Sequence, residues 1–326
     1  MRIVFHGENA ATFTEGFRDL LDGGDFEIIR VGDDLTDAGE IESFRNADII
    51  VGTHLDANDP KPEKARVYLI AAAGYDPVDF ACLAPGATAC NCHGHERPIA
   101  EYVISGMLAH RVPLVDADRR LREGDWAYRA GPIGNLHDEL TGGTVALVGY
   151  GHISQEIARM AKTFDMTVHV ANRSPVAPSD FVDAYWPMDD LAGVLREADF
   201  VVSALPLMDA TAGLIGANEF SQMKSSAVLF NVGRGGVVEE KALFEALRDK
   251  TIAGAVIDTW YVYPSVENDA PHPSDYPIHE LDNVIMTPHM SGWTHGTIRR
   301  RREEMAANVN RLVTGESLKS VVFSGD

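Results

Sequence analysis

Two basic side chains in the second half of the chain have the types and the surroundings needed to reduce a keto acid. Arg234 stands between glycines in "NVGRGG", after an apolar run, and His289 follows "VIMTP". Both would lie at strand ends, where open α/β sheets bind ligands. An arginine can hold a carboxylate, and a histidine can protonate a carbonyl oxygen while a cofactor gives hydride. We predict both as catalytic residues; the alternatives are a surface turn and a purely structural strand end.

The stretch "TVALVGYGHISQEIARMAK" predicts a dinucleotide-binding turn. An apolar run ends at Gly149, Gly151 follows, and Ser154 stands where such motifs usually carry a third glycine. The first glycine permits a tight turn, the second lets the backbone approach a pyrophosphate, and a small third residue lets the helix pack on the strand. The helix that begins at His152 and Ile153 offers its N–H groups and its positive end to the phosphates.

The strand after this helix, "MTVHVA", predicts the choice of cofactor. It ends in Asn172, Arg173 and Ser174, whereas an NAD site typically has Asp or Glu there to accept from the ribose 2′-OH. Arginine with amide and hydroxyl neighbours suits a 2′-phosphate. We therefore expect NADP to be preferred over NAD, although stacking of Arg173 on the adenine would fit either cofactor.

Composition narrows the class of protein. The chain has 326 residues, 45% of them hydrophobic, and a formal net charge of −21, so we expect two domains and no nucleic-acid partner. No apolar run reaches the roughly 20 residues that cross a bilayer. The N-terminus "MRIVFHGEN" resembles a first strand more than a secretory signal. With only three cysteines, we expect a cytoplasmic protein.

The elements that must position these residues form two alternating blocks. The first block predicts five strands and the second six, each separated by helix-length segments, as in parallel sheets covered on both faces. A long helix after Pro98, interrupted near Pro113, joins them, and a last helix ends near Gly315. The predicted fold is α/β, with two Rossmann-like, doubly wound domains and an active-site cleft between them. The five runs of the first block are "RIVF", "FEIIRV", "ADIIVG", "ARVYLIAAAG" and "ATACNC", and the six of the second are "TVALVGYG", "MTVHVANR", "ADFVVSALP", "SAVLFNVGRG", "IAGAVIDTW" and "NVIMTPH".

In their order, the Gly-x-Gly turn, "ALPL" with a following threonine, "NVGRG", "GAVIDTW" and "TPHMSG" resemble the D-isomer-specific 2-hydroxyacid dehydrogenase family over essentially the whole chain. The resemblance implies a substrate domain of residues 1–97 and 293–326 and a dinucleotide-binding Rossmann domain of residues 98–292. It also implies a homodimer and an NAD(P)-dependent reduction of a small 2-keto acid, such as glyoxylate or hydroxypyruvate, to the D-hydroxy acid.

Roles carry over from the family by matching residues. Arg234 matches the substrate-anchoring arginine and His289 the acid/base histidine. Asp258 matches the aspartate near the nicotinamide carboxamide, although it could instead anchor a loop through hydrogen bonds. Ala73 and Gly74 match the loop whose N–H groups hold the substrate carboxylate. Further residues that would line the cofactor are Leu205, Pro206, Thr211, Val232 and Gly233.

One position departs from the family. At the position of Tyr263, most members have a Glu, or a Gln in the formate dehydrogenases. In those proteins the Glu or Gln pairs with the histidine. A neutral phenol cannot stabilise an imidazolium by charge, so we expect a lower pKa for His289 than is usual in the family. We predict Tyr263 as a third catalytic residue. The alternatives are that a loop acid (Glu267, Asp269 or Glu280) takes the place of the glutamate, or that Tyr263 is only a lid residue.

Two rival functions stay open. Formate- or phosphite-type oxidation of a small anion is the first, and the missing Gln at position 263 speaks against it. The second is a non-catalytic NAD(P)-sensing interaction protein, like the transcriptional corepressors of this family. No added interaction segment is visible for that role.

Two charged or metal-loving runs also need an assignment. In "ACNCHGHERP", alternation puts Cys90 and Cys92 on one strand face, which favours packing over a metal site, so no metal is predicted. His93 and His95 become candidate substrate contacts. The run "RRRR" at 299–302 is expected to be a solvent-facing side of the last helix.

Overall fold

The structure is a computed structural model that describes residues 1–265 and 268–325. The chain divides into two compact units, one of Met1–Gly94 with Thr294–Asp326 and one of His95–Trp293. The division lies three residues and one residue away from the boundaries drawn from the sequence. Each unit contains its own sheet, and the prediction of two Rossmann-like α/β domains is confirmed.

The described residues form thirteen strands and nine α-helices. The strands are β1 (Arg2–His6), β2 (Glu27–Val31), β3 (Ile49–Gly52), β4 (Val67–Ile70), β5 (Thr88–Cys90), β6 (Thr144–Val148), β7 (Thr167–Asn172), β8 (Ala184–Pro187), β9 (Phe200–Ser203), β10 (Val228–Asn231), β11 (Gly254–Ile257), β12 (Val284–Met286) and β13 (Val321–Ser324). The helices are α1 (Gly7–Ala11), α2 (Ala38–Arg45), α3 (Glu96–Arg111), α4 (Leu114–Arg122), α5 (His152–Lys162), α6 (Leu191–Leu195), α7 (Ala217–Gln222), α8 (Glu240–Arg248) and α9 (His295–Thr314).

The first unit contains a six-stranded sheet in the order β13-β5-β4-β3-β1-β2. Its five parallel strands have the 2-1-3-4-5 order of flavodoxin-like folds. Alternate residues of β1 face two cores: Phe5 packs with Met305 and Val309 of α9, and Val4 packs with Phe44 of α2. The edge strand β13, antiparallel to β5, was missed in the sequence because a four-residue run at a chain end resembles a tail.

The second unit contains a seven-stranded, all-parallel sheet in the order β12-β11-β10-β9-β6-β7-β8. Six of its strands follow the 3-2-1-4-5-6 order of dinucleotide-binding folds. Only β8 was missed, since "AYWP" is short and ends in proline at a sheet edge. Because all seven strands run in one direction, their carboxyl ends share one edge of the sheet.

Two helix ends predicted from the sequence are confirmed. The long helix stops at Arg111, and Pro113 precedes α4, so the chain is interrupted where proline removes a backbone donor. Helix α9 ends before Gly315, whose φ of 73° is left-handed. None of the helices described in residues 1–265 and 268–325 is both long and apolar enough to cross a membrane.

Candidate active site

The turn after β6 has the shape required to approach a dinucleotide. Gly149 has a φ of +89°, and a Cβ there would lie 2.6 Å from Leu205 Cδ2. Gly151 precedes α5, and a Cβ built on it would meet no atom within 4 Å, so the turn has open space beside the helix N-terminus. Ser154 is buried within the first turn of α5. These features fit a pyrophosphate at the helix start.

Asn172 ties this turn to the end of β7. Its Oδ1 accepts from the N–H of Tyr150 at 3.2 Å, and its Nδ2 donates to the carbonyl of Ser174 at 2.9 Å. The Asn172 side chain therefore holds the backbone. Arg173 is exposed, and among the described residues nothing forms an ion pair or hydrogen bond with its guanidinium.

The loop after β9 is closed by the hydroxyl of Thr211. This hydroxyl donates to the carbonyl of Pro206 at 2.6 Å and accepts from the N–H of Met208 at 2.8 Å. A Cβ on Gly233 would overlap the carbonyl oxygen of Leu205, so only glycine lets the two loops approach this closely. Val232 is buried beside them and donates its N–H to the carbonyl of Ser203.

Asp258 is fully buried at the end of β11 and anchors the histidine loop. One carboxylate oxygen accepts from the Thr287 hydroxyl at 2.6 Å and the Met290 N–H at 2.9 Å. The other accepts from the N–H of Ser291 at 3.0 Å and from its hydroxyl. Within the described part of the chain no cation pairs with this carboxylate. These hydrogen bonds anchor the loop that carries His289.

Trp260 bridges the loops that carry the remaining site residues. Its indole N–H donates to the carbonyl of Thr287 at 2.8 Å, and its backbone N–H donates to the hydroxyl of Tyr263 at 3.1 Å. A Cβ on Gly235 would overlap the carbonyl oxygen of Trp260, which brings the Arg234 loop against the same residue. The Arg234 Nη1 donates to the carbonyl of Gly233 at 3.0 Å.

His289 occupies a strained backbone conformation. Its φ is +57°, in the left-handed region that residues other than glycine rarely adopt. Its N–H donates to the carbonyl of Thr287 at 3.0 Å. Strain of this kind persists where surrounding contacts enforce it and is common at active sites. Its Nδ1 lies 3.0 Å from the hydroxyl of Tyr263. Partial burial raises the pKa of the Tyr263 phenol, partly offset by the Trp260 N–H and the Arg234 charge.

The loop acids proposed as substitutes for the missing glutamate do not contact the histidine. Asp269 and Glu280 are exposed, and within the described residues neither carboxylate forms a hydrogen bond or an ion pair. Glu267 lies outside the described residues. The structure therefore places Tyr263, and neither of the two described acids, against His289.

In the first unit, the chain leaves β4 with open backbone donors. The N–H groups of Ala73 and Gly74 donate no hydrogen bond to any described residue. The position of this loop is fixed from the neighbouring strand end, because the Asn91 amide donates to the carbonyl of Ala73 at 2.8 Å and Cys92 donates its N–H to Ala72 at 3.1 Å.

Helix α9 fixes the same strand ends with charged side chains. Arg301 donates to the carbonyl of Ala71 at 3.2 Å, Arg300 donates to the carbonyl of Gly94 at 2.8 Å, and Glu304 accepts from the N–H of His93 at 2.9 Å. The expectation that the whole arginine run faces solvent is wrong, because Arg301 is only 9% exposed. Helical spacing gave a signal that was missed: Arg301 lies on the face of Met305 and Asn308, both buried.

The two cysteines of "ACNC" pack as predicted. Cys90 and Cys92 are buried in the core that also contains Phe13 and Met305. Burial raises the pKa of the Cys90 thiol to about 11. This thiol therefore stays protonated at neutral pH, in keeping with a packing role.

Known proteins are similar to this chain in both sequence and fold. A family model described as the NAD-binding domain of D-isomer-specific 2-hydroxyacid dehydrogenases matches residues 104–291. The chain is 32% identical over 284 residues to a glyoxylate reductase of Korarchaeum cryptofilum, covering 85% of this chain and 82% of that protein. The chain belongs to the D-isomer-specific 2-hydroxyacid dehydrogenase family.

Two solved structures of a 2-hydroxyacid dehydrogenase family protein and a reductase resemble the fold of this chain. A family protein from Aeromonas salmonicida has a TM-score of 0.82 at 25% identity, with 99% of this chain and 98% of that chain covered. An NADPH-dependent glyoxylate/hydroxypyruvate reductase from Sinorhizobium meliloti has a TM-score of 0.77 at 26% identity, with 98% and 96% covered. The prediction of an NAD(P)-dependent 2-hydroxyacid dehydrogenase with a nicotinamide cofactor is confirmed.

Several residues that build the dehydrogenase site were missed in the sequence. Trp260, Thr287 and Ser291 hold the histidine loop, and Asn231 donates its side-chain N–H to the carbonyl of Arg234 at 3.0 Å. All four stand at or just after strand ends, beside the predicted residues. Their position was therefore a usable signal, but their hydrogen-bond partners are set only by how neighbouring loops meet.

Proposed function

We propose that this enzyme reduces a small 2-keto acid, with glyoxylate and hydroxypyruvate as first candidates, to the D-2-hydroxy acid. The observation that carries the proposal is His289, which Asp258 and Trp260 hold at a strand end in a strained conformation, with Arg234 on the adjoining loop. Such a histidine is positioned for proton exchange, and the arginine beside it is suited to a carboxylate.

The proposed roles follow from these positions. The bound nicotinamide supplies the hydride. Arg234 anchors the substrate carboxylate and polarises the carbonyl, and His289 supplies the proton to the oxygen. In the first unit, the open N–H groups of Ala73 and Gly74 are proposed to bind the carboxylate, and His93 is proposed as a substrate contact.

We further propose that NADP is preferred over NAD. The cofactor would lie along the edge formed by the strand ends of the second unit, on the residues predicted for it. The support for NADP is Arg173. It is exposed and directly follows β7, at the strand end where an NAD site typically has an acidic residue. We expect Arg173→Gln to lower kcat/KM for NADPH about tenfold while leaving NADH nearly unchanged, because each charged hydrogen bond is worth roughly 1.5–3 kcal/mol.

The deciding experiment is a panel of 2-keto acids assayed with NADPH and with NADH. Turnover of glyoxylate or hydroxypyruvate with the higher kcat/KM on NADPH would support the proposal. Formate and phosphite belong in the same panel, in the oxidative direction. Tight NADPH binding without turnover of any compound would instead favour the sensing protein.

A homodimer is proposed on the basis of an apolar surface in the second unit. In and after α4, large apolar side chains are exposed to an extent unusual for a monomer, for example 86% for Ile133 and 79% for Leu136. The others are Leu114, Val115, Leu121 and Trp126. Sedimentation of the wild type and of Leu136→Asp tests this proposal. We also propose a cytoplasmic location, which three free thiols support.

A further inference from the structure

The hydrogen bond between Tyr263 and His289 has a direction that its surroundings determine. A backbone N–H can only donate, so the Trp260 N–H at 3.1 Å occupies one lone pair of the Tyr263 oxygen. The single phenol proton is then directed at the other partner, the Nδ1 of His289 at 3.0 Å. Within the described residues the phenol oxygen has no third partner that could take this proton.

This direction determines the tautomer of the neutral histidine. Because the phenol donates to Nδ1, that nitrogen presents a lone pair and the ring proton lies on Nε2. A glutamate at position 263 would do the opposite, since a carboxylate can only accept and would bind Nδ1–H of an imidazolium. Tyr263 therefore favours a neutral histidine that keeps a proton on the nitrogen opposite the phenol.

We propose that Tyr263 and His289 form a proton relay, in which the phenol proton passes to Nδ1 while the Nε2 proton passes to the substrate oxygen. This proposal rests on the keto-acid reduction proposed above. The carbonyl carbon gains hydride, and the π electron pair moves to the oxygen. The new O–H bond forms as Nε2–H breaks, and the new Nδ1–H bond forms as the phenol O–H breaks. The histidine stays neutral, and the negative charge passes to the phenolate. The pair is reset when Nε2 takes a proton from water, which leaves as hydroxide, and Nδ1 returns its proton to the phenolate.

The difference in basicity drives this transfer, because an aliphatic alkoxide is a stronger base than a phenolate. The surroundings act in both directions. Partial burial, which is the largest effect, and the buried Asp258 oppose the phenolate, whereas the Trp260 N–H and Arg234 favour it. From α3, the hydroxyl of Tyr102 lies 2.7 Å from the hydroxyl of Thr287, which donates a hydrogen bond to Asp258. Because the pKa of the phenol is raised, its proton is present throughout the neutral range.

The test is the pH dependence of kcat/KM for reduction. With a relay, the wild type keeps its activity through neutral pH and loses it only in the alkaline range, where the phenol, whose pKa is raised by partial burial, ionises. Tyr263→Phe removes the second proton, so we expect an activity about 100-fold lower at pH 8 and an alkaline limb that moves to lower pH than in the wild type. Tyr263→Glu should regain activity with a limb set by its imidazolium.

Tyr261 provides a matched control two positions away. Its hydroxyl donates to the carbonyl of Val238 at 3.0 Å and is directed away from the histidine. We expect Tyr261→Phe to keep the wild-type pH profile. A wild-type limb near neutral pH, or a Tyr263→Phe profile equal to that of the wild type, would overturn the relay and leave the reductase assignment intact. Absence of turnover on every keto acid would overturn the assignment itself.

A second measurement does not depend on turnover. In ligand-free enzyme labelled with ¹⁵N-histidine, we expect the His289 resonances to show an unprotonated Nδ1 and a protonated Nε2 at pH 8. The signal is assigned by its loss in His289→Gln. Protonated Nδ1 in the wild type would refute the relay. In Tyr263→Phe we expect the two tautomers to mix, because the directing donor is gone.

Discussion

The histidine loop of the second unit and the loop after β4 in the first unit are both held at strand ends, but by different means. The buried Asp258 and Trp260 hold the histidine loop. Their hydrogen-bond partners Ser291 and Thr287 lie at most 33 positions away in the sequence. The loop after β4 is held from α9, where Arg301 lies 230 positions from Ala71. The histidine loop is held by contacts within one stretch of the chain, whereas the loop after β4 is held by the C-terminal helix α9, which packs against the N-terminal sheet.

The largest effect is expected from breaking the histidine loop. In Asp258→Asn, an amide that carries two protons faces four donors, so at least one hydrogen bond is lost and the loop moves. Because a shift of about 1 Å can cost roughly 100-fold, we expect kcat to fall by about that factor. Losing charged, buried hydrogen bonds should also lower the free energy of unfolding by roughly 2–3 kcal/mol.

Steady-state kinetics and thermal unfolding of the same preparation measure the two parts of this prediction. Asp249→Asn is the control, because Asp249 is exposed and its carboxylate pairs with the neighbouring Arg248. An unchanged kcat in Asp258→Asn would show that the loop holds its shape without the carboxylate.

A smaller effect, and one of another kind, is expected in the first unit. Arg301→Met removes the donor to Ala71, which should loosen the proposed carboxylate-binding loop. We expect KM for the keto acid to rise about tenfold, the value of one hydrogen bond of about 1.4 kcal/mol, with kcat within about twofold of wild type. Arg301→Lys should recover part of the affinity. Arg299→Met is the control, because this neighbour is exposed. Equal losses of kcat in both variants of Arg301 would contradict a role limited to binding.

The smallest expected effect is a loss of stability of the second unit at acidic pH. Burial lowers the pKa of His169 in the second unit, where its side chain is buried. Because the unfolded chain then binds more protons, the stability of this unit should fall as pH drops below about 6.5. Fluorescence reports on the second unit alone, since all four tryptophans lie within residues 95–293.

Urea titrations followed by fluorescence at pH 7.5 and pH 5.5 measure this loss. In His169→Gln the difference between the two pH values should shrink, while His137→Gln, an exposed control, should leave it unchanged. A midpoint that does not depend on pH would contradict the prediction.

Much of the second unit could be predicted from the sequence because its functional residues follow short apolar runs. A run of four or five buried residues predicts a strand, and parallel strands bring their carboxyl ends to one edge. Gly149, Arg234 and His289 are placed at strand ends by this rule alone. The same rule could not reveal β8 or β13, because short edge strands bury too little to leave a pattern.

The first unit shows where such local rules stop. The arginine run of α9 was assigned to solvent, since charge alone suggests exposure, yet Arg301 is buried against the end of β4. Nothing near residue 301 in the sequence indicates that Ala71 lies beside it. Only the folded chain brings together groups that are so far apart.

The sequence by itself determined the family, the order along the chain of eleven of the thirteen described strands and the identities of the residues at their ends, because these depend on patterns a few residues long. The tertiary structure alone decided what those residues do to one another. It turned Asp258 inward onto the histidine loop and placed the Trp260 N–H on the oxygen of Tyr263. A hydrogen bond takes its direction from every partner of both atoms, and those partners meet only after several separate loops have packed together.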